Sequence, residues 1–206
     1  MVKAIIFDMG GVLIIEPHDS WKDIFHQIAP PAGMDPEALI SGFKSNEHDI
    51  QTGRVTLLDF YTQFLKNLKL TANPEDLLKR HIELYNQVSG KINADLVKII
   101  QNLRQRFKTA CFTNTEVEIA SLNKERGLFN NFDRVFISTE MGMRKPDHRS
   151  YMYVIKELAI RPEEGVFIDN NKAYVDAAEE VGLNGITYKN NSQLIQELSV
   201  YSVRVN

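Results

Sequence analysis

The chain has 206 residues, 43% of them hydrophobic, and its 24 basic and 27 acidic side chains leave a net charge of −3; that length buries a sizeable core, as one large domain or one domain carrying an insertion. Lysine and arginine are scattered rather than gathered in a stripe or block, so neither a nucleic-acid partner nor a membrane surface is expected. A single cysteine, Cys111, leaves no internal disulfide, no apolar run approaches the ~20 residues of a membrane span, and the first residues read as a strand rather than a leader, so a cytoplasmic location is the expectation.

Lys3 to Met9 (KAIIFDM) is short, apolar and rich in branched and aromatic side chains, which suits a strand buried on both faces in a parallel sheet. From Asp19 to about Ser89 the pattern turns helical, with no clear strand, through SWKDIFHQIA, PEALISGFKSN, TLLDFYTQFLKNL and PEDLLKRHIELYNQV. Thr56 and Asp59 make an acidic variant of a capping box ahead of the third of these, and Asn73 and Pro74 open the fourth. A further helix, ADLVKIIQNLRQRF behind Asn93, leads to a second strand at Thr109 to Thr113 (TACFT). Strands follow at Arg134 to Ser138 (RVFIS), Gly165 to Asp169 (GVFID) and Gly185 to Tyr188 (GITY). HRSYMYVIKELA behind Asp147 is another crossover helix, and Gly127 and Gly182 sit where helices should stop.

Strands alternating with helices predict an α/β fold with a doubly wound parallel sheet. Between the first two strands lie about a hundred residues, where one crossover needs a dozen or so. The excess predicts an inserted helical cap over residues 16–90, hinged around Ile15 to Asp19 and Val88 to Asn93, on a core made of residues 1–15 and 91–206.

In open α/β sheets ligands bind beyond the carboxyl ends of the strands. The residues there are Asp8 and Gly10 after the first strand, Thr113 and Asn114 after the second, Lys145 in the loop beyond the third, and Asp169 and Asn170 after the fourth. Singly, each has an ordinary explanation: Lys145 as a solvated charge, Asp169-Asn170-Asn171 as turn chemistry. Together, acids closing strongly apolar runs at successive strand ends call for more than turns.

FDMGGVL, FTNT, GMRKPD and VFIDNN resemble the four motifs of the haloacid dehalogenase superfamily, and the similarity spans essentially the whole chain. The insertion resembles that superfamily's type 1 helical cap, and TGRVTLLDFYTQF and GMRKPDHRSYMYVIKEL resemble the α-glucose-1-phosphatases and the N-terminal phosphatase domain of soluble epoxide hydrolases. The resemblance implies a Rossmann-like core in which Asp8 attacks a phosphoryl group to form an aspartyl-phosphate that water hydrolyses. It implies Mg²⁺ held by Asp8, the Gly10 carbonyl and Asp169, with Asn170 beside it. Thr113 and the Asn114 amide would hold a non-bridging phosphoryl oxygen, and Lys145 would neutralise Asp8 and the transferring group. Gly10 and Gly11 would let phosphate and metal approach the main chain.

Two motifs depart from that pattern. Gly10 stands where the superfamily usually has a second aspartate that protonates the leaving oxygen, an assistance of about 10²- to 10⁴-fold. Either the leaving group needs little help, as in a sugar 1-phosphate, aryl phosphate or acyl phosphate, or the hinge residues Glu16, His18 and Asp19 supply an acid. His18 has a suitable ordinary pKa near 6.5, but a histidine behind Pro17 suits a turn or the surface better. In the fourth motif Asn170 replaces a second acid, and Tyr174 stands where asparagine is common.

His48, in the polar stretch SNEHDIQTG, is a candidate for substrate selection, whereas His26, His81 and His148 lack metal-ligand spacing and read as structural. Trp21, Phe25, Phe43, Phe60, Tyr61 and Phe64 read as cap core with a minority lining a pocket, and Cys111 as a small core residue. The expected function is a Mg²⁺-dependent phosphatase acting on a small phosphorylated metabolite. The alternatives are a catalytically weak phosphate-binding or regulatory protein and, less favoured, a metal-independent haloacid dehalogenase. A phosphomutase would need the acid that Gly10 lacks, and the oligomeric state cannot be read from this sequence.

Overall fold

A computed structural model of the protein describes residues 1–15, 20–89 and 91–205. Its sheet has five strands, β1 (Ala4–Phe7), β2 (Lys108–Thr113), β3 (Arg134–Ile137), β4 (Gly165–Asp169) and β5 (Asn184–Thr187), in the order β3-β2-β1-β4-β5 and all parallel. Because β1 is central, paired with β2 on one side and β4 on the other, the chain reverses its winding at the carboxyl ends of β1 and β4. The period-2 alternation of the strands sorts their side chains into two apolar layers. Ile5, Phe7, Cys111, Val166 and Ile168 enter one, Ala4, Ile6, Ala110, Phe112 and Phe167 the other.

Between β1 and β2 come α1 (Ser20–Ile28), α2 (Pro36–Gln51), α3 (Leu57–Leu68) and α4 (Pro74–Val88), which share an apolar cluster of their own, followed by α5 (Ala94–Arg104) on the sheet. The expected caps are present: Asp59 Oδ2 accepts from the Thr56 N–H at 3.1 Å while the Asp59 N–H donates to Thr56 Oγ1 at 3.0 Å, and Asn73 accepts from the Glu75 N–H. α2 runs five residues past the predicted SNEHDIQTG boundary at Asn46, to Gln51, because nothing in Glu47 to Gln51 breaks a helix before Gly53, whose φ is +74°. That extension decides which side chains of the stretch face inward.

The remaining helices are α6 (Val117–Glu125), α7 (Ser138–Met141), α8 (His148–Leu158), α9 (Lys172–Glu180) and α10 (Asn191–Val200). α6 seats the four-helix unit: Ile119 joins its apolar cluster, and Glu118 accepts from the Leu57 and Leu58 N–H groups at the start of α3, at 3.2 and 3.3 Å. Arg126 donates to the Ser89 hydroxyl and carbonyl, at 3.0 and 2.8 Å. The two connections to the unit run antiparallel, the Ile15 N–H donating to Lys91 O and the Asn93 N–H to Leu13 O. Among the described residues no helix is long and apolar enough to cross a membrane.

Asn93 locks this junction. Its Oδ1 accepts from the Leu96 N–H and from Asn191 Nδ2, at 3.1 and 3.0 Å, and its Nδ2 donates to the Tyr188 hydroxyl at 2.8 Å. Asn93→Ala removes a helix cap and partners of buried Tyr188 and half-buried Asn191, and is expected to lower unfolding free energy by about 1–2 kcal/mol, read from the urea midpoint at unchanged m-value.

Candidate active site

β1 ends in Asp8, after which the N–H groups of Val12, Leu13 and Ile14 all turn back onto the Met9 carbonyl, at 3.3, 2.9 and 2.9 Å. Gly11 makes that turn with φ +70°, and a Cβ there would stand 2.3 Å from Asn170 Nδ2, so the first and fourth motifs interlock where this glycine has no side chain. β4 ends in Asp169, whose Oδ1 accepts from the Asn171 N–H at 2.8 Å. β2 ends in Thr113, which is buried, and Asn114 follows. The Asn114 carboxamide bonds the Lys145 main chain twice, donating to its carbonyl at 2.9 Å and accepting from its N–H at 3.0 Å. So the loop beyond β3, with its cis Lys145-Pro146 peptide, is tied to the end of β2.

Lys145 is fully buried and its ammonium donates to Asp8 Oδ1 at 2.7 Å and to Asp169 Oδ2 at 2.6 Å. Phe112, Phe167 and Tyr174 surround it, their ring centroids 5.3, 5.5 and 5.2 Å from Nζ. Burial alone would pull the ammonium's pKa down, but the charges of Asp169 and Asp8 and their hydrogen bonds hold it above its ordinary value. Burial, and then the Asp169 charge, push Asp8 up to about 6 against the opposing pull of Lys145. Two buried carboxylates against one ammonium leave excess negative charge facing the strand ends. That surplus suits a hard divalent cation, which takes one or two protein carboxylates and fills its shell with water and substrate oxygens. Among the described residues there is no cluster of three or more His, Cys, Asp or Glu that could hold a metal.

Above these groups a cavity of about 270 Å³ opens between the strand ends and the four-helix unit. Gly10, Thr113 and Asn114 line its floor, and Trp21, Phe25 and Phe43 its wall. α2 contributes Lys44, Glu47 and Gln51, spaced three and four residues apart on one face of the helix. His48 is exposed and does not line the cavity, which corrects its reading as a substrate-facing residue. Glu47 pairs with Arg144 at 3.4 Å, joining α2 to the loop that carries Lys145. Glu116, the residue before α6, was missed by sequence reasoning although it follows FTNT directly; it lines the cavity, and burial raises its pKa. Glu16, His18 and Asp19 lie outside the described residues.

The other histidines have structural partners. His26 bonds Glu37 and His148 bonds Glu180, both on the surface, while buried His81 meets the Tyr61 hydroxyl at 2.8 Å. Cys111 is buried in β2, which raises its thiol pKa.

A family model for haloacid dehalogenase-like hydrolases matches residues 2–182, and the chain belongs to that family. Bifunctional epoxide hydrolase 2 of Sus scrofa is 24% identical over 211 residues, covering 96% of this chain; the chain spans only 38% of that protein's length. D-ribitol-5-phosphate phosphatase of Bacteroides thetaiotaomicron is 22% identical, over 97% of this chain and 98% of its own. A solved structure of a HAD family enzyme from the same organism, in complex with magnesium and inorganic phosphate, has the same fold, with a TM-score of 0.71 at 20% identity over 92% of this chain and 95% of that one. The chain thus belongs to a family of hydrolases and has the parallel α/β fold that the sequence predicted.

Two outcomes test these electrostatics. Lys145→Met leaves two buried carboxylates without a counter-charge and is expected to cost roughly 3–5 kcal/mol at neutral pH without divalent metal, the deficit narrowing as the pH falls and the carboxylates protonate; urea unfolding across pH reads both. For His81, burial lowers the folded pKa to about 4 from 6.5, so only the unfolded chain takes up the proton between these values. Stability therefore falls as pH drops through that window, by about 1.4 kcal/mol per unit from this group. In His81→Gln, which can still accept from Tyr61, that component of the pH slope should vanish.

Proposed function

We propose that the protein is a Mg²⁺-dependent phosphatase that hydrolyses a small phosphorylated metabolite through a phospho-enzyme on Asp8. The observation that carries this reading is the buried Lys145 ammonium shared by Asp8 and Asp169 at the strand ends, with Gly10, Thr113 and Asn114 from the same strand ends lining the adjoining cavity. An Asp8 carboxylate oxygen attacks phosphorus while Lys145 holds its partner oxygen and spreads positive charge toward the transferring group. The Thr113 hydroxyl and the Asn114 main-chain N–H hold a non-bridging oxygen, the Asn114 side chain being committed to Lys145. Asp8, the Gly10 carbonyl and Asp169 would hold Mg²⁺, with Asn170 bonding its water; when bound, the ion supplies charge neutralisation on the phosphoryl oxygens. Support comes from the phosphatase among the relatives and from the magnesium and phosphate complex of a protein with this fold.

Within this reading residues 16–90 act as the cap and residues 1–15 and 91–206 as the catalytic core. Since Gly10 offers no proton, leaving groups that depart as stable anions are favoured: the anomeric oxygen of a sugar 1-phosphate, an aryl oxide or a carboxylate. The missing carboxyl at Gly10 also favours one second reading, a phosphate-binding protein without turnover.

Hydrolysis of p-nitrophenyl phosphate separates the two, because its leaving group needs no acid. Wild type is expected to turn over only with Mg²⁺, and Asp8→Asn to lose more than about 10³-fold in rate. Absence of turnover at saturating Mg²⁺, with phosphate still bound, would establish the binding protein instead.

A further inference from the structure

We infer that His81 Nε2 donates a hydrogen bond to the organic part of the substrate, so that the cavity selects phosphate esters carrying an oxygen acceptor, a carbonyl or a hydroxyl, away from the phosphate. The inference rests on the phosphatase reading for the position of the phosphate and deepens it by naming a specificity-determining residue and the group it reads.

Three observations carry it. The first is position. His81 belongs to α4 and is only 5% exposed, and it lines the same cavity as Gly10, Thr113 and Asn114 at the strand ends. Its ring meets Phe25 of α1 edge to face at 5.5 Å and 81°, so packing fixes the orientation of the imidazole.

The second is the tautomer. Tyr61 is fully buried, and its hydroxyl meets His81 Nδ1 at 2.8 Å and no other partner among the described residues. A buried hydroxyl proton without an acceptor forfeits its hydration for nothing, so the Tyr61 O–H donates to Nδ1. Burial keeps the imidazole neutral by lowering its pKa to about 4. A neutral ring whose Nδ1 accepts carries its one proton on Nε2.

The third is that this N–H is open. Among the described residues Gln51 Oε1 is the sole side-chain nitrogen or oxygen that is both sealed from solvent and unbonded. His81 Nε2 is unbonded too. It is therefore not sealed, and the space beside His81 is the cavity it lines. The acceptors nearest in kind are spent elsewhere: Glu47 pairs with Arg144, and Glu116 accepts from the Thr115 hydroxyl at 3.4 Å. A ligand oxygen, or a water in its place, completes the bond. A ligand with hydrocarbon at that point displaces the water and leaves the donor bare.

The test has a spectroscopic arm and a binding arm. In ¹⁵N-histidine-labelled protein, with the His81 signals assigned by their loss in His81→Gln, imidazole correlations are expected to show the neutral Nε2–H tautomer. An Nδ1–H tautomer overturns the inference. Trp21 is the chain's single tryptophan and lines the cavity, so its fluorescence reports occupancy without turnover. With saturating Mg²⁺, 3-oxobutyl-, 4-oxopentyl- and 5-oxohexylphosphonate are each titrated against the matching compound in which a methylene group replaces the ketone oxygen. In at least one pair the ketone is expected to bind about fivefold tighter. Tyr61→Phe keeps the imidazole and should keep that preference. Tyr61→Phe/His81→Leu, which removes both partners and leaves no orphaned hydroxyl, should abolish it. Equal binding within every pair overturns the inference, as does a double variant that still prefers the ketone. Ketone preference without hydrolysis of p-nitrophenyl phosphate would uphold the role of His81 while defeating the phosphatase reading; hydrolysis without ketone preference would do the reverse.

Discussion

A buried ammonium held between two carboxylates organises this molecule. Lys145 has no exposed surface, so its charge survives only because Asp8 and Asp169 lie within hydrogen-bond distance, and they tolerate each other's proximity only because it is there. The arrangement demands that three distant parts of the chain arrive together: the end of β1, the end of β4 and the loop that leads into α8. The sheet order brings the two strand ends side by side at its switch point. The Asn114 carboxamide then fixes the loop to β2 through its main chain, leaving the Lys145 side chain to reach between the acids.

The four-helix unit is joined to this centre by few but specific contacts, chiefly on α6. Glu118 satisfies the N–H groups that begin α3, Arg126 holds the end of α4 at Ser89, and Glu47 reaches the residue next to Lys145. Each contact uses a helix terminus or a charged side chain instead of a broad apolar interface, and Ile119 is the one buried residue of α6 in the unit's cluster. The apolar material of α1 and α2 that is not consumed in packing against α3 and α4 faces the strand ends. Position and chemistry are divided accordingly: the strand ends supply the polar floor at Gly10, Thr113 and Asn114, and the helices a wall of Trp21, Phe25 and Phe43 with Lys44, Glu47 and Gln51 beside them.

Much of this was legible in the residues themselves. Branched, apolar runs ending in Asp8 and Asp169 gave away both the parallel sheet and the acidic floor, since a strand buried on both faces has no other reason to end on a carboxylate at the same edge twice. The capping residues Thr56, Asp59, Asn73 and Asn93 marked helix starts because their side chains act on neighbours three residues away or fewer. His48 was misread because its orientation depends on where α2 stops. Once the helix continues to Gln51, the inward face passes to Lys44, Glu47 and Gln51. Glu116 was overlooked because its signal, a carboxylate just after FTNT, is indistinguishable in sequence from an ordinary acid at a helix start.

By itself the sequence determined the fold class, the insertion between the first two strands, and the polar residues at the strand ends, because these follow from local periodicity and from the rule that ligands meet parallel sheets at their carboxyl edge. Only the tertiary structure decided that Lys145 is buried between both acids, that Asn114 is spent on holding it, and that Glu47 reaches from α2 to the residue beside Lys145. These are contacts between residues far apart in the chain, and nothing in a local pattern encodes the distance between two elements until packing has fixed it.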